Sequence, residues 1–386
     1  MTRDVEHTNR LARLYDDLPG MVADLDALVS VESPSNDPAC CGEACDVLEA
    51  IVCSRLGARA ERIELEGRRH LRWRFGSSGR RGLLLLGHLD TVWPLGTLAG
   101  WPFSVSGDVA TGPGCFDMKA GLVQGICALG SMRRLDGVTL LVTSDEEIGS
   151  PSSRLLIEQA AREAAAVLVL EPALGEAVKT SRKGVLLARI AVTGRAAHAG
   201  LEPEKGANAI LELAAQTGRI ADLARPGLGT TVVPSTVSGG SASNVVPAHA
   251  ELTVDVRATD RLELSRVEQA LYRLRVSLPD THVECRVESS RPPFEARSSS
   301  ALYDVARQVW RDLGMGELAG AAAGGASDGN LTAAIGIPTL DGLGAVGSGA
   351  HARDEHVRLD LMPARAALLA GLVEELTAQA GEGARI

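Results

Sequence analysis

What the chain lacks narrows it first. Phe, Trp and Tyr make up only 3% of its 386 residues, so any ligand pocket is expected to have aliphatic and polar walls. No apolar run approaches the ~20 residues needed to cross a bilayer. The N-terminus, Met1-Thr2-Arg3-Asp4-Val5-Glu6-His7, is charged and has no apolar core behind it. No signal peptide is therefore expected, and the cytoplasm is the expected location. Basic excess is missing too. The net charge is −10 without a long basic run, which argues against nucleic acid and anionic membrane as partners. The seven cysteines are odd in number, and Cys40, Cys41 and Cys45 have no second Cys or His pair at structural-zinc spacing. Cys41 and Cys45 lie one helical turn apart in an apolar-periodic stretch, so buried thiols are expected there.

Hydrophobic residues at 45% and charged residues at 23% allow a large core, and the length favours two domains. Helical periodicity covers Met21 to Ser30 and Ala39 to Leu56, with the turn-rich Glu32-Ser33-Pro34-Ser35-Asn36-Asp37-Pro38 between them. Strands are expected at Arg59 to Leu65, His70 to Phe75, Leu83 to Leu86, Val138 to Thr143 and Val167 to Leu170. Helices at Lys119 to Arg134 and Ser152 to Arg162 alternate with them. That alternation predicts an α/β fold with a mostly parallel sheet flanked by helices. From Gly184 the order changes to β-α-β-β-α-β, a ferredoxin-like module. The expected domains are 1–183 and 294–386, forming one domain, with 184–293 inserted between them.

Chemistry-bearing residues stand at the strand ends. Gly87-His88-Leu89-Asp90 follows the buried run Leu83 to Leu86, and side chains two apart on a strand point the same way. Ligands bind at the carboxyl ends of strands in open α/β sheets. His88 is therefore a candidate metal ligand, with Asp90 accepting its other N–H and fixing the tautomer. Asp117 stands in the long glycine-bearing connection Gly112 to Gly121. Glu146 and Glu147 follow one strand and Glu171 another. A single strand-end acid is ordinarily a solvated cap. Three successive strands ending in His or carboxylate suit a divalent metal. The adjacent glutamates at 146 and 147 allow one to bind metal while the other acts as a base.

With these motifs in place, the chain resembles the M20 family of co-catalytic metallopeptidases, and within it the glutamate carboxypeptidase-like branch. The resemblance covers nearly the whole chain after the first ~20 residues, including the domain order, and is more than a lone motif. It implies a zinc-exopeptidase-like catalytic domain carrying an inserted lid and dimerisation domain. It makes His88 and Glu171 ligands of one ion, with Asp90 as the partner of His88. It makes Asp117 the bridging carboxylate, Glu147 and His351 ligands of a second ion, and Glu146 the general base. His351 is preferred to the nearby His356. Within the insertion, His198 matches a histidine that reaches the active site of the partner subunit in dimeric members, and Asn244 and Arg257 match contacts to the substrate carboxylate. Two divalent ions are implied, with zinc the expected metal and cobalt or manganese able to substitute. The implied partners are a small amide or peptide substrate with a free carboxylate and a second copy of the chain.

The expected reaction is hydrolysis of an amide to release a C-terminal amino acid, with glutamate favoured and a folate-like, peptide or N-acyl substrate. N-acyl-amino-acid deacylase and dipeptidase activities of other side-chain specificity are the alternatives. Gly325-Ala326-Ser327-Asp328-Gly329 satisfies G-x-S-x-G, with Asp341 and His351 following in the Ser…Asp…His order of serine hydrolases. The elbow needs a buried strand before it, however, and Ala319 to Gly325 has no β-branched residue. A non-catalytic binding protein on the same fold is the remaining rival, weakened because every ligand and the base are matched.

Overall fold

The computed structural model describes residues 2–76 and 81–382. Its contacts divide the chain into two compact units. The first comprises Met1–Ser181, Ala296–Ala323 and Ser327–Ile386, and the second Arg182–Glu295 and Gly324–Ala326.

The first unit is built on a six-stranded sheet. Its spatial order is Glu61–Leu65, Arg68–Phe75, Val138–Thr143, Gly82–His88, Ala164–Val169 and Thr339–Leu340. The last four pair in parallel and the first two join antiparallel at one edge, so the α/β expectation of a mostly parallel sheet holds. Leu83, Leu84, Leu85 and Leu86 are all buried because helices cover both faces, which is why the strand reads as an unbroken apolar run. Truncating one, as in Leu85→Ala, is expected to cost roughly 2–5 kcal/mol. That is a large share of the ~5–15 kcal/mol that holds a typical domain folded. The Pro38–Leu56 helix starts on Asp37, whose carboxylate accepts from the Ala39 and Cys40 amides. It buries Cys41 and Cys45, and burial pushes both thiols up to about 12. All seven cysteines are free.

Two stretches depart from the sequence reading. The connection between 89 and 119 is not simply a loop. Ser104–Ser106 and Val109–Thr111 form a small antiparallel sheet with His356–Arg358 and Gly347–Ser348. These strands are two or three residues long, too short to show a period. Gly320–Ala323 is a strand, paired with Val178–Arg182, despite its alanine and glycine content. Partner hydrogen bonds set its conformation, overriding a weak propensity.

The second unit is a four-stranded antiparallel sheet in the order Thr231–Gly239, His249–Ala258, Gly184–Thr193 and His282–Arg291. Helices Ala209–Ala221 and Arg261–Tyr272 complete the β-α-β-β-α-β order. In Gly184–Thr193 and His249–Ala258, buried residues alternate with more exposed ones, as expected where one sheet face packs on helices. No helix among the described residues is long and apolar enough to cross a membrane.

Candidate metal centre

Because the central strands are parallel, their carboxyl ends share one edge of the sheet. His88 ends one strand, Glu146 and Glu147 lie just past Thr143, and Glu171 lies two residues past Val169. Asp117 reaches the same place from an irregular turn, Cys115–Lys119. That turn begins at Gly114, whose φ of +72 belongs to the left-handed region, and a Cβ there would come within 2.4 Å of Thr91.

Two ligand clusters result, His88 with Asp117 and Glu171, and Asp117 with Glu147 and His351. His88 Nε2 lies 3.4 Å from Asp117 Oδ1 and 3.5 Å from Glu171 Oε1. His351 Nε2 lies 3.5 Å from Asp117 Oδ2 and 3.1 Å from Glu147 Oε2. Asp117 thus turns one oxygen to each imidazole. His351 itself has a left-handed backbone, φ 63, and is half-exposed, whereas His88 is buried. Lys179 Nζ approaches Glu171 Oε2 at 3.7 Å. Among the described residues, His356 belongs to neither cluster.

Asp90 is fully buried and does more than the sequence suggested. Its carboxylate accepts from Ser35 Oγ at 2.7 Å and from the Glu146 and Glu147 amides, each at 3.1 Å. The shorter contact of His88 Nδ1 is to the Asp90 backbone carbonyl at 3.0 Å, with the carboxylate at 3.5 Å. A carbonyl can only accept, so Nδ1 carries a proton, and Nε2 is the ring nitrogen left to ligate on the side of Asp117 and Glu171. Asp90 therefore ties the His88 strand end to the turn that carries both glutamates.

The turn has further supports that the sequence reading missed. Asp145, beside the two glutamates, points inward and accepts from the amides and hydroxyls of Ser152 and Ser153 at 2.5 to 3.2 Å. Buried His70 takes the Ser144 amide on Nδ1 and contacts Ser152 Oγ through Nε2 at 3.1 Å. Burial holds its pKa below the usual imidazole value, so it acts here as a neutral strut. Asp328 accepts from Ser150 and, at 3.4 Å, from Thr143. Glu355, also missed, receives amides from the Asp117 turn and the Trp93 indole N–H. Trp93 and Trp101 stack edge to face at 5.0 Å, with the Arg353 guanidinium over both rings. A chain poor in aromatics thus sets two of its four tryptophans beside this turn.

The donor set suits a divalent cation. His88 Nε2 and Asp117 Oδ1 are buried and make no hydrogen bond among the described residues, although they face one another. Burial opposes charge on His88, but Asp117, Asp90 and Glu171 outweigh it and raise its pKa well above the usual value. Asp117 and Glu147 lift His351 to about 10. The carboxylates thus present a strong demand for positive charge at atoms with metal-ligand chemistry.

The other candidates are not members of these clusters. Ser327 is buried and caps the Asp328–Ala334 helix, with its Oγ donating to Asp341 Oδ2 at 2.7 Å. The strand before it is mostly exposed. A serine bonded directly to a carboxylate, with no imidazole between, lacks the base that activates a nucleophile. In the second unit, the segments of His198 and Asn244 run side by side, linked by the Ala199 amide and Asn244 carbonyl at 2.9 Å. Both residues are exposed. Arg257 spends two of its nitrogens on Asp255, at 3.0 and 3.1 Å, and a third on the Gly324 carbonyl at 3.2 Å.

Known proteins similar to this chain bear on its fold and its family. The model of peptidase family M20/M25/M40 matches residues 84–375. Carboxypeptidase G2 of Pseudomonas sp. (strain RS-16) is 31% identical over 380 residues, covering 94% of this chain and 91% of the relative. A succinyl-diaminopimelate desuccinylase of Wolinella succinogenes is 27% identical over 346 residues, covering 83% of this chain and 92% of the relative. The crystal structure of aminopeptidase PepT from Bacillus cereus superposes with a TM-score of 0.72 at 22% identity, covering 93% of this chain and 99% of that one. The chain belongs to peptidase family M20/M25/M40 and is a metal-dependent hydrolase of the metallo-carboxypeptidase and amidohydrolase type.

Proposed function

We propose that the enzyme uses two divalent ions to hydrolyse an amide and release an amino acid with a free carboxylate, glutamate being the favoured one. The observation that carries the two-ion reading is Asp117, which directs Oδ1 to His88 and Oδ2 to His351. His88, Asp117 and Glu171 would hold one ion, and Asp117, Glu147 and His351 the other. Zinc fits this nitrogen and oxygen set, and cobalt or manganese can substitute. Bound there, the ions would supply Lewis-acid polarisation of the scissile carbonyl and a more acidic water. Glu146 takes the proton from the attacking water on its carboxylate and passes it to the leaving amine. The Asp90 carbonyl fixes the His88 tautomer, and its carboxylate holds the glutamate turn and faces the same imidazole. Replacing Asp90 with Ala is expected to weaken ion affinity or activity ~10–100-fold without emptying the site. Ion content and kinetics measured together check this, and loss of both ions would put Asp90 among the ligands.

His198 as oxyanion donor and Asn244 and Arg257 as carboxylate contacts rest on the family resemblance. Unchanged kcat in His198→Ala would remove that residue from the set. Glutamate rests on the similarity to carboxypeptidase G2. The similarity to a desuccinylase supports a second reading, an N-acyl-amino-acid deacylase of other specificity. A screen of metal-replete protein on N-acylglutamates, other N-acyl amino acids and dipeptides, with the released amine identified by mass spectrometry, separates the two. Equal turnover after amidation of the substrate carboxylate would overturn both.

We also propose a homodimer through the second unit and a cytoplasmic location. Thr231–Gly239 is an edge strand of its sheet, with Val237 73% and Val233 50% exposed. Next to it the Ala209–Ala221 helix exposes Leu211 at 58%, and a groove lined by Ile210, Leu213 and Thr217 runs between them. Exposed apolar edges invite pairing with another chain. A monomer by sedimentation at micromolar concentration would refute the dimer, and periplasmic fractionation would refute the location.

A further inference from the structure

Glu355 lies outside both ligand clusters and has no part in the proton transfers, yet it is among the most enclosed charges in the first unit. It is 0% exposed, and no Lys or Arg forms a salt bridge with it among the described residues, although buried Lys119 lies within reach of its charge. A carboxylate buried in that way is tolerated only if its oxygens are fully hydrogen-bonded. Four donors do so. Oε1 accepts the Phe116 amide at 2.9 Å and the Asp117 amide at 3.1 Å. Oε2 accepts the Gly114 amide at 3.1 Å and the Trp93 indole N–H at 3.0 Å. Three amides of one turn converging on an anion make a backbone nest, here filled by a side chain of the same protein.

The other end of Glu355 is equally fixed. It closes the turn that carries His351, where the Ala352 amide reaches the Gly349 carbonyl at 2.8 Å and the Glu355 amide the Ala352 carbonyl at 3.0 Å. Gly349 has φ +80, and a Cβ there would stand 2.7 Å from Glu355 N, so the turn closes only with glycine. Beyond it, His356–Arg358 pairs with Val109–Thr111. One carboxylate therefore joins the turn that holds Asp117 to the turn that holds His351. Those residues are 234 positions apart in the chain and face one another at 3.5 Å.

We infer that Glu355 is a positioning residue that sets the spacing of Asp117 and His351 and so the affinity of the ion they share with Glu147. The inference rests on the two-ion reading above. Glutamine at this position keeps the size, but its amide nitrogen turns N–H groups toward two of the four donors. Those two bonds are lost and their donors left buried without partners. The Asp117 and His351 turns are then held by half the original contacts.

The test uses full-length metal-free protein titrated with Zn2+ by calorimetry, and with Co2+ while the visible absorption spectrum is recorded. Glu355→Gln is expected to weaken the more loosely held ion ~10–100-fold, the range for partners that orient a ligand. The Co2+ spectrum should change with it. A merely structural role would lower the unfolding temperature but leave ion affinity and spectrum unchanged in the folded variant, and that result overturns the inference. If Glu355→Gln does not fold, Trp93→Phe decides, since it removes one donor and keeps the three amides. A few-fold loss of affinity in the same direction supports the inference, and unchanged affinity and spectrum refute it. The two-ion reading fails separately, if the unaltered protein binds fewer than two ions per chain.

Discussion

Replacing Glu146 with glutamine is expected to lower kcat at least ~100-fold while leaving both ions in place. That loss corresponds to about 2.7 kcal/mol of transition-state stabilisation. Glu146 belongs to neither ligand cluster, and its backbone amide is the group that bonds Asp90. Glutamine keeps that amide and the side-chain volume and removes only the charge that accepts a proton. Ion content by plasma spectrometry and steady-state kinetics on the same preparation decide the matter. A variant with near-normal turnover would show that another group takes the proton. One that lost an ion would show that Glu146 is a ligand.

A larger and different effect is expected from Asp117→Asn. Each carboxylate oxygen of Asp117 faces a different imidazole, so an asparagine can offer its one oxygen to one cluster only. The other cluster meets an NH2 group, which donates and cannot ligate. Both clusters also lose the negative charge. The affinity loss should exceed the ~10–100-fold typical of removing a ligand's supporting partner, because a ligand itself is gone. Ion content is expected to fall to one per chain or fewer, with turnover at background. Full occupancy of both sites in Asp117→Asn would refute the bridging role. The two variants are complementary, since Glu146→Gln separates chemistry from ion binding and Asp117→Asn removes both.

These two side chains also mark how far the sequence could be read. The run Leu83 to Leu86 followed by His88 is a local pattern, because a strand buried on both faces must be apolar throughout. Alternation of such strands with amphipathic helices implies a parallel sheet, and a parallel sheet puts the ends at His88, Glu147 and Glu171 on one edge. Those features follow from residues that are neighbours in the chain. The β-α-β-β-α-β order of the second unit is local in the same sense.

What bonds to what across the fold has no such signature. Asp145, Glu146 and Glu147 are three consecutive acids, and only the fold turns the first onto Ser152 and Ser153 and the last toward Asp117 and His351. The Asp90 carboxylate was expected on His88 and lies 3.5 Å from its Nδ1, but it also takes two amides of the glutamate turn, and an amide donor is the same at every residue. Ser327 satisfied a nucleophile motif and proved to be a buried helix cap. Glu355 was invisible for the strongest version of the same reason, since three of its four partners are backbone amides some 240 positions away. The sequence alone determined the layers of the fold and which strand ends carry ligand-type side chains, because periodicity and chain order encode both. The tertiary structure decided which oxygen faces which imidazole and what holds it there, because long-range bonds to backbone groups leave no trace in residue identity.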